Sequence, residues 1–174
     1  MNSQVIVLTG LSGTGKSTLA DPLARDLGVP SFAGDSLLGA LAPAHHVPAK
    51  PDRPDYLAMY HSLLESLITR QLILDQGATV DCAVNDTVAQ RWQTIADEYR
   101  ARLHIVDCVC SDEHEHRRRV EGRQRHIPGW HDVDWNHLQR MRTETPPHLH
   151  PGDQVTQRPL DRQHPSRSSY AADP

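Results

Sequence analysis

The sequence predicts an α/β domain built on a mostly parallel sheet, and three observations carry that prediction. Short apolar runs alternate along the chain with stripes at helical spacing. The first run, Val5-Ile6-Val7-Leu8, is apolar without alternation, as a strand buried on both faces is. A glycine-rich segment, GLSGTGKST at 10–18, then joins that run to the first helical stripe. Four to five strands flanked by helices are expected, with the strand C-terminal ends on one edge, where ligands bind in such sheets.

The elements follow in order. After Val5–Leu8, the residues Leu19, Leu23 and Leu27 recur every four positions and define a helix ended by Gly28. Pro22 lies beyond its first turn and predicts a kink or a shortened regular part. Ser31–Gly34 reads as a brief second strand leading into Asp35. The proline-rich stretch 42–54 reads as a loop. A helix is expected from about Pro54 to Gln76, with proline at its start, Gly77 after its end, and Leu57, Leu64 and Ile68 on one face. Ala78–Val84 is a third strand. Val88, Trp92, Ile95 and Tyr99 mark the next helix, and Leu103–Val109 a fourth strand. Residues 111–125 form a charged helix opened by Ser111, and IPGW at 127–130 a turn. Asp134 caps a last helix carrying Trp135, Leu138 and Met141. Gln154–Thr156 can add a short fifth strand, and the polar tail 161–174 is expected to be mobile.

Composition narrows the class. A length of 174 residues suits one domain, expected over 1–160. No stretch approaches the roughly 20 apolar residues of a membrane span. The chain enters a strand pattern directly, without a basic leader, so a cytoplasmic protein is expected. Cys82, Cys108 and Cys110 read as buried reduced thiols rather than staples or a zinc site. The formal charge of −4 offers no basic field for a nucleic-acid duplex, so a nucleic-acid partner is not expected.

The segment from Gly10 to Ser17 satisfies G-x-x-x-x-G-K-[ST], the phosphate-binding P-loop. The physical need is close approach. A chain wrapped around a phosphate turns tightly and aims successive N–H groups inward, and Cβ atoms would obstruct it. Gly10, Leu11, Ser12, Gly13, Thr14, Gly15, Lys16, Ser17 and Thr18 are therefore the nucleotide-binding candidates. Lys16, one of only two lysines in the chain, supplies a point charge to the β- and γ-phosphates; the Ser17 hydroxyl can ligate Mg²⁺.

Three further features bear on chemistry. Asp35, at the ligand edge after the second strand, can accept or orient the proton of an attacking hydroxyl; it can also cap the next helix. Asp81 sits within an apolar strand and needs a metal or a partner, because an unpaired buried carboxylate is costly. It can hold Mg²⁺ through water, hold the substrate, or pair with an arginine. Arg91 is either that partner or a reach to the acceptor. Arg119 and Arg123 are four residues apart and would share a helix face, a pair of guanidiniums suited to clamping phosphate oxygens from a mobile lid over about 111–130.

On GLSGTGKST, Asp35, Asp81 with Arg91 ten residues on, and Arg119-x-x-x-Arg123, the sequence resembles the small P-loop kinases that include chloramphenicol 3-O-phosphotransferase and the kinase domain of polynucleotide 5′-hydroxyl kinases, an AAA-type ATPase domain of the zeta-toxin/kinase kind. The likeness spans about 4–145. It implies a kinase-type sheet, ATP with Mg²⁺, and phosphoryl transfer to a hydroxyl. It also implies Asp35 as general base, Lys16 and Ser17 as phosphate and metal residues, and Arg119 and Arg123 as lid arginines.

Two other functional readings stay open on residues alone. One is a switch that hydrolyses ATP without an acceptor; the other is a polynucleotide 5′-kinase. A GTPase is disfavoured because no N-K-x-D signature is present. Among twelve histidines, His114-x-His116 and His148-x-His150 invite a metal reading, but no ligand set completes a site and exposed side chains are expected. His45 and His46 could line an acceptor pocket, and Trp130 could pack or stack on substrate.

Overall fold

The computed structural model describes residues 3–41, 54–124, 127, 133–144 and 154–156. Five strands, β1 (Gln4–Thr9), β2 (Ser31–Ala33), β3 (Ala78–Asp81), β4 (Arg102–Val109) and β5 (Gln154–Thr156), form one sheet in the order β2-β3-β1-β4-β5. Every pairing is parallel. Among the described residues six helices accompany it: α1 (Lys16–Leu27), α2 (Gly34–Leu41), α3 (Pro54–Ile73), α4 (Asp86–Glu98), α5 (Glu113–Glu121) and α6 (Trp135–Glu144).

β1 lies at the centre, and its apolar run serves both faces of the sheet. Val5 and Val7 enter a large cluster with Leu38, Tyr60, Leu64, Ile68 and Trp92 from α2, α3 and α4. Leu8, on the opposite face, packs with Ala20 of α1 and Cys108 of β4. The two-residue period of a strand separates the two sets. A strand covered on both sides cannot show polar alternation, and that is why β1 reads as a continuous apolar run.

Several elements depart from the sequence expectation. The buried face of α1 is Ala20 and Ala24, while Leu27 is exposed; small side chains let the helix lie close to the sheet. Pro22 does not shorten α1, which runs unbroken through it to Gly28, where φ is 66°. In α3, Leu64 and Ile68 are buried as expected, but Leu57 is exposed, and Tyr60, His61 and Leu72 complete the inner face. β3 ends at Asp81 rather than Val84. α5 is shorter than 111–125 and is capped by Asp112, whose carboxylate accepts from the Glu115 N–H at 3.1 Å. Asp134 caps α6 as expected, accepting from the His137 N–H. Of the loop expected over 42–54, residues 42–53 with His45 and His46 lie outside the described residues and Pro54 opens α3; Trp130, His148, His150 and the 161–174 tail also lie outside them.

Cys82 and Cys108 are buried free thiols, whereas Cys110 is only half-buried. No helix among the described residues is long and apolar enough to cross a membrane.

Candidate active site

The chain leaves β1 at Thr9 and enters α1 at Lys16, so residues 10–15 make the whole turn. Gly10, Gly13 and Gly15 all hold positive φ, at 128°, 84° and 97°. Left-handed backbone is the first reason for glycine here. Space is the second. A Cβ on Gly10 would collide with the Cys108 carbonyl of β4, and one on Gly13 would lie 2.7 Å from Val120 Cγ2 of α5. Inside the turn, the Thr14 hydroxyl donates to the Leu11 carbonyl at 2.9 Å. Lys16 Nζ donates to the carbonyls of Gly10 (2.7 Å) and Leu11 (2.9 Å), arching back over the loop. Burial lowers the Lys16 pKa, while the carboxylates of Asp81 and then Asp35 pull it the other way.

The sheet register brings the distant acid to this loop. Asp81 lies beside Leu8 of β1 and Ala33 of β2. There its carboxylate accepts a hydrogen bond from the Ser17 hydroxyl. A hydroxyl and a carboxylate side by side at the head of α1 fit an oxygen-seeking cation such as Mg²⁺, which needs few protein ligands because it keeps much of its water. Among the described residues no cluster of three or more His, Cys, Asp or Glu could hold a metal by itself. Asp35 sits in the first turn of α2, at the C-terminal end of β2, and its charge acts on Lys16.

Sequence reasoning missed the residues that brace this edge. Gly34 has no room for a Cβ because the Tyr60 ring lies over it. The Tyr60 hydroxyl accepts from the Ala83 N–H at 3.2 Å, and His61 Nε2 contacts the Ala83 carbonyl at 2.8 Å. Burial, followed by the charges of Cys82 and Asp35, pushes the Tyr60 phenol well above its usual range. One adjacent pair on α3 thus holds the turn after β3 by both backbone groups of Ala83. The available signal was position: Tyr60 is four residues before Leu64, on the stripe itself.

The arginines are arranged differently from expectation. Arg91 forms its ion pair with Glu65 of α3, so it is not the structural partner of Asp81. Arg119 and Arg123 do not share a helix face, because α5 ends at Glu121. Arg119 donates to Glu115 at 2.8 Å; Arg123 Nη1 donates to the Ser12 hydroxyl at 3.1 Å. Hydrogen bonds from Arg118 and Arg119 hold the Glu115 carboxyl down at about 2. His116, expected to be exposed, is buried against the loop with Nε2 at 2.8 Å from the Ser12 carbonyl.

The site is thus a glycine turn with an ammonium over it and acids at the adjoining strand ends. The model of the family described as AAA domain matches residues 5–148. The chain belongs to the AAA domain family. Within that family's span lie the loop, Asp35, Asp81 and α5. None of the curated proteins matches the chain. Solved structures share its fold. A candidate kinase from Chloroflexus aurantiacus J-10-fl superposes with a TM-score of 0.70 at 21% identity, over 90% of this chain and 88% of that one. A sugar kinase from Janibacter sp. HTCC2649 gives 0.62 at 14%, covering 89% and 84%. A gluconokinase from Sinorhizobium meliloti 1021 gives 0.64 at 18%, covering 89% and 82%. The P-loop kinase-like fold expected from the sequence is thereby shown.

Proposed function

We propose that this AAA domain protein is a kinase that binds ATP with Mg²⁺ at the 10–18 loop and transfers the γ-phosphoryl group to a hydroxyl of a small molecule, such as an antibiotic, a sugar or a nucleoside. The observation that carries the reading is the convergence of Lys16, the Ser17–Asp81 pair and Asp35 on one edge of the sheet. The loop amides and the N-terminus of α1 cradle the phosphates. Lys16 exchanges its bonds to the Gly10 and Leu11 carbonyls for phosphate oxygens. Ser17 and Asp81 hold the Mg²⁺, which when bound neutralises charge on the transferring group. Asp35 orients the acceptor hydroxyl and takes its proton. Arg123, already bonded to Ser12 of the loop, stands ready for the phosphate charge. Arg119 joins it only by releasing Glu115, and Arg91 reaches the acceptor only by leaving Glu65. The likeness to a sugar kinase and a gluconokinase supports a small hydroxylated acceptor, as does the net charge of −4.

The test is the fate of label from γ-labelled ATP offered with a panel of hydroxylated metabolites and antibiotics. Label on a small acceptor is expected. Label appearing in inorganic phosphate alone would instead identify an ATP-hydrolysing switch, and salt-sensitive labelling of a 5′-hydroxyl oligonucleotide would identify a polynucleotide kinase. The variant Asp35→Asn is expected to bind MgATP normally and to lose about 10²–10⁴-fold in kcat. Near-normal turnover in that variant would remove Asp35 from the role of base.

A further inference from the structure

The ring of His116 joins three elements at the phosphate loop. It projects from α5, its Nε2 contacts the Ser12 carbonyl at 2.8 Å, and its Nδ1 contacts Arg142 Nη2 of α6 at 2.7 Å. The indole of Trp135 meets the ring edge-on at 5.5 Å, and the Arg142 guanidinium lies over the same indole at 5.2 Å. Arg142 also faces Glu113 at 3.6 Å. His116 is 1% exposed, so water does not compete for either nitrogen.

These contacts fix the proton. A guanidinium only donates, so Nδ1 accepts from Arg142; Nε2 then carries the hydrogen and donates to the Ser12 carbonyl. The Ser12–Gly13 peptide is trans, so its carbonyl and the Gly13 N–H point in opposite directions. Gly13 itself is packed against Val120 and His116 on the α5 side, with no space there for a side chain.

We propose that His116 is a positioning residue for the phosphate loop: by holding the Ser12 carbonyl toward α5 it keeps the Gly13 N–H turned the other way, at the bound triphosphate, while Arg142 sets the tautomer that allows it. The inference rests on the nucleotide-binding reading above and assigns a role within it to the α5–α6 pair. Preorganised donors matter because a peptide that must flip on binding spends binding energy on the flip. Nothing in the role requires His116 to touch the nucleotide.

Two substitutions separate positioning from packing. His116→Gln retains an amide N–H near the place of Nε2; His116→Leu keeps comparable bulk without a donor. Calorimetry with MgATP is expected to show about a tenfold weaker Kd for His116→Leu, the scale of one lost hydrogen bond, and a value within about threefold of wild type for His116→Gln. Arg142→Met is expected to weaken MgATP as well, because it frees the tautomer. If His116→Leu fails to fold, ¹⁵N-histidine NMR of the wild-type protein decides: the Nε2–H form is expected, and the Nδ1–H form would overturn the proposal. Wild-type binding with His116→Leu unchanged overturns this inference alone. Wild-type protein that binds no MgATP takes the proposed function down with it.

Discussion

At the scale of the residue, the 10–15 turn shows how one side chain too many would be felt. Gly13 combines a φ of 84° with a neighbour, Val120 Cγ2, that would stand 2.7 Å from an added Cβ, well inside van der Waals contact. Gly13→Ala therefore meets backbone strain and overpacking at once, each on the order of 1–3 kcal/mol. Chemical denaturation is expected to show a lower midpoint with an unchanged slope. An unchanged midpoint would mean that α5 gives way without cost. The same residue scale explains which single positions were readable. Lys16 and the glycines announce themselves because their requirement is local: a tight turn, an inward-facing amide, a point charge. Tyr60 does not, since the Ala83 backbone it braces is brought to it only by folding.

At the scale of the element, helix α1 carries a residue that helices reject. Pro22 lies within it and is exposed, so its ring packs against little, yet it removes a backbone donor from the helix ladder. Pro22→Ala is expected to raise stability by about 1–2 kcal/mol, less than the full helix-propensity difference because proline also restricts the unfolded chain. Equilibrium urea unfolding reads this directly, and a fall in stability would show that the proline is built into the packing of α1. Helix α4 tests the capping chemistry. The Asn85 carboxamide accepts from the Val88 N–H at 2.9 Å, so Asn85→Ala is expected to cost about 1 kcal/mol. Elements of this kind were largely legible from periodicity, and their ends were legible where a cap or glycine marked them. In α1 the leucine spacing points to one face, but the residues buried against the sheet are Ala20 and Ala24, with Leu19 beside them and Leu27 exposed, because a helix close to a strand needs small residues at the contact.

At the scale of the whole molecule, stability should depend on pH through two buried rings. His61 and His116 both sit below the ordinary histidine value, in each case chiefly because burial disfavours the charged form. Around His61, Arg91 opposes protonation and Glu65 favours it. Around His116, Arg142, Arg119 and Lys16 oppose it, the Ser12 carbonyl favours it, and Glu113 stands behind Arg142. The unfolded chain then binds more protons than the folded one at mildly acid pH, so stability rises with pH there. The contribution is complete above the unfolded value of about 6.5 and is lost as pH falls through the lowered folded values. Urea midpoints between pH 7.5 and 5 are expected to fall on acidification, and His116→Gln to reduce the slope. A flat profile would show that neither ring is held neutral by the fold.

What the sequence determined by itself is whatever depends on a few neighbouring residues. The glycine turn, its lysine and hydroxyl, the apolar strands and the alternation that makes a parallel sheet are all of this kind, and the family match agrees with them. The tertiary structure alone decided the partnerships. Ser17 meets Asp81 from 64 residues away, Arg91 turns to Glu65, and His116 reaches Ser12 across 104 residues. The reason is physical: periodicity and turn chemistry report how a segment folds locally, whereas strand order and register fix which segments lie side by side. A charged or polar side chain then takes whatever partner that arrangement places within hydrogen-bonding distance.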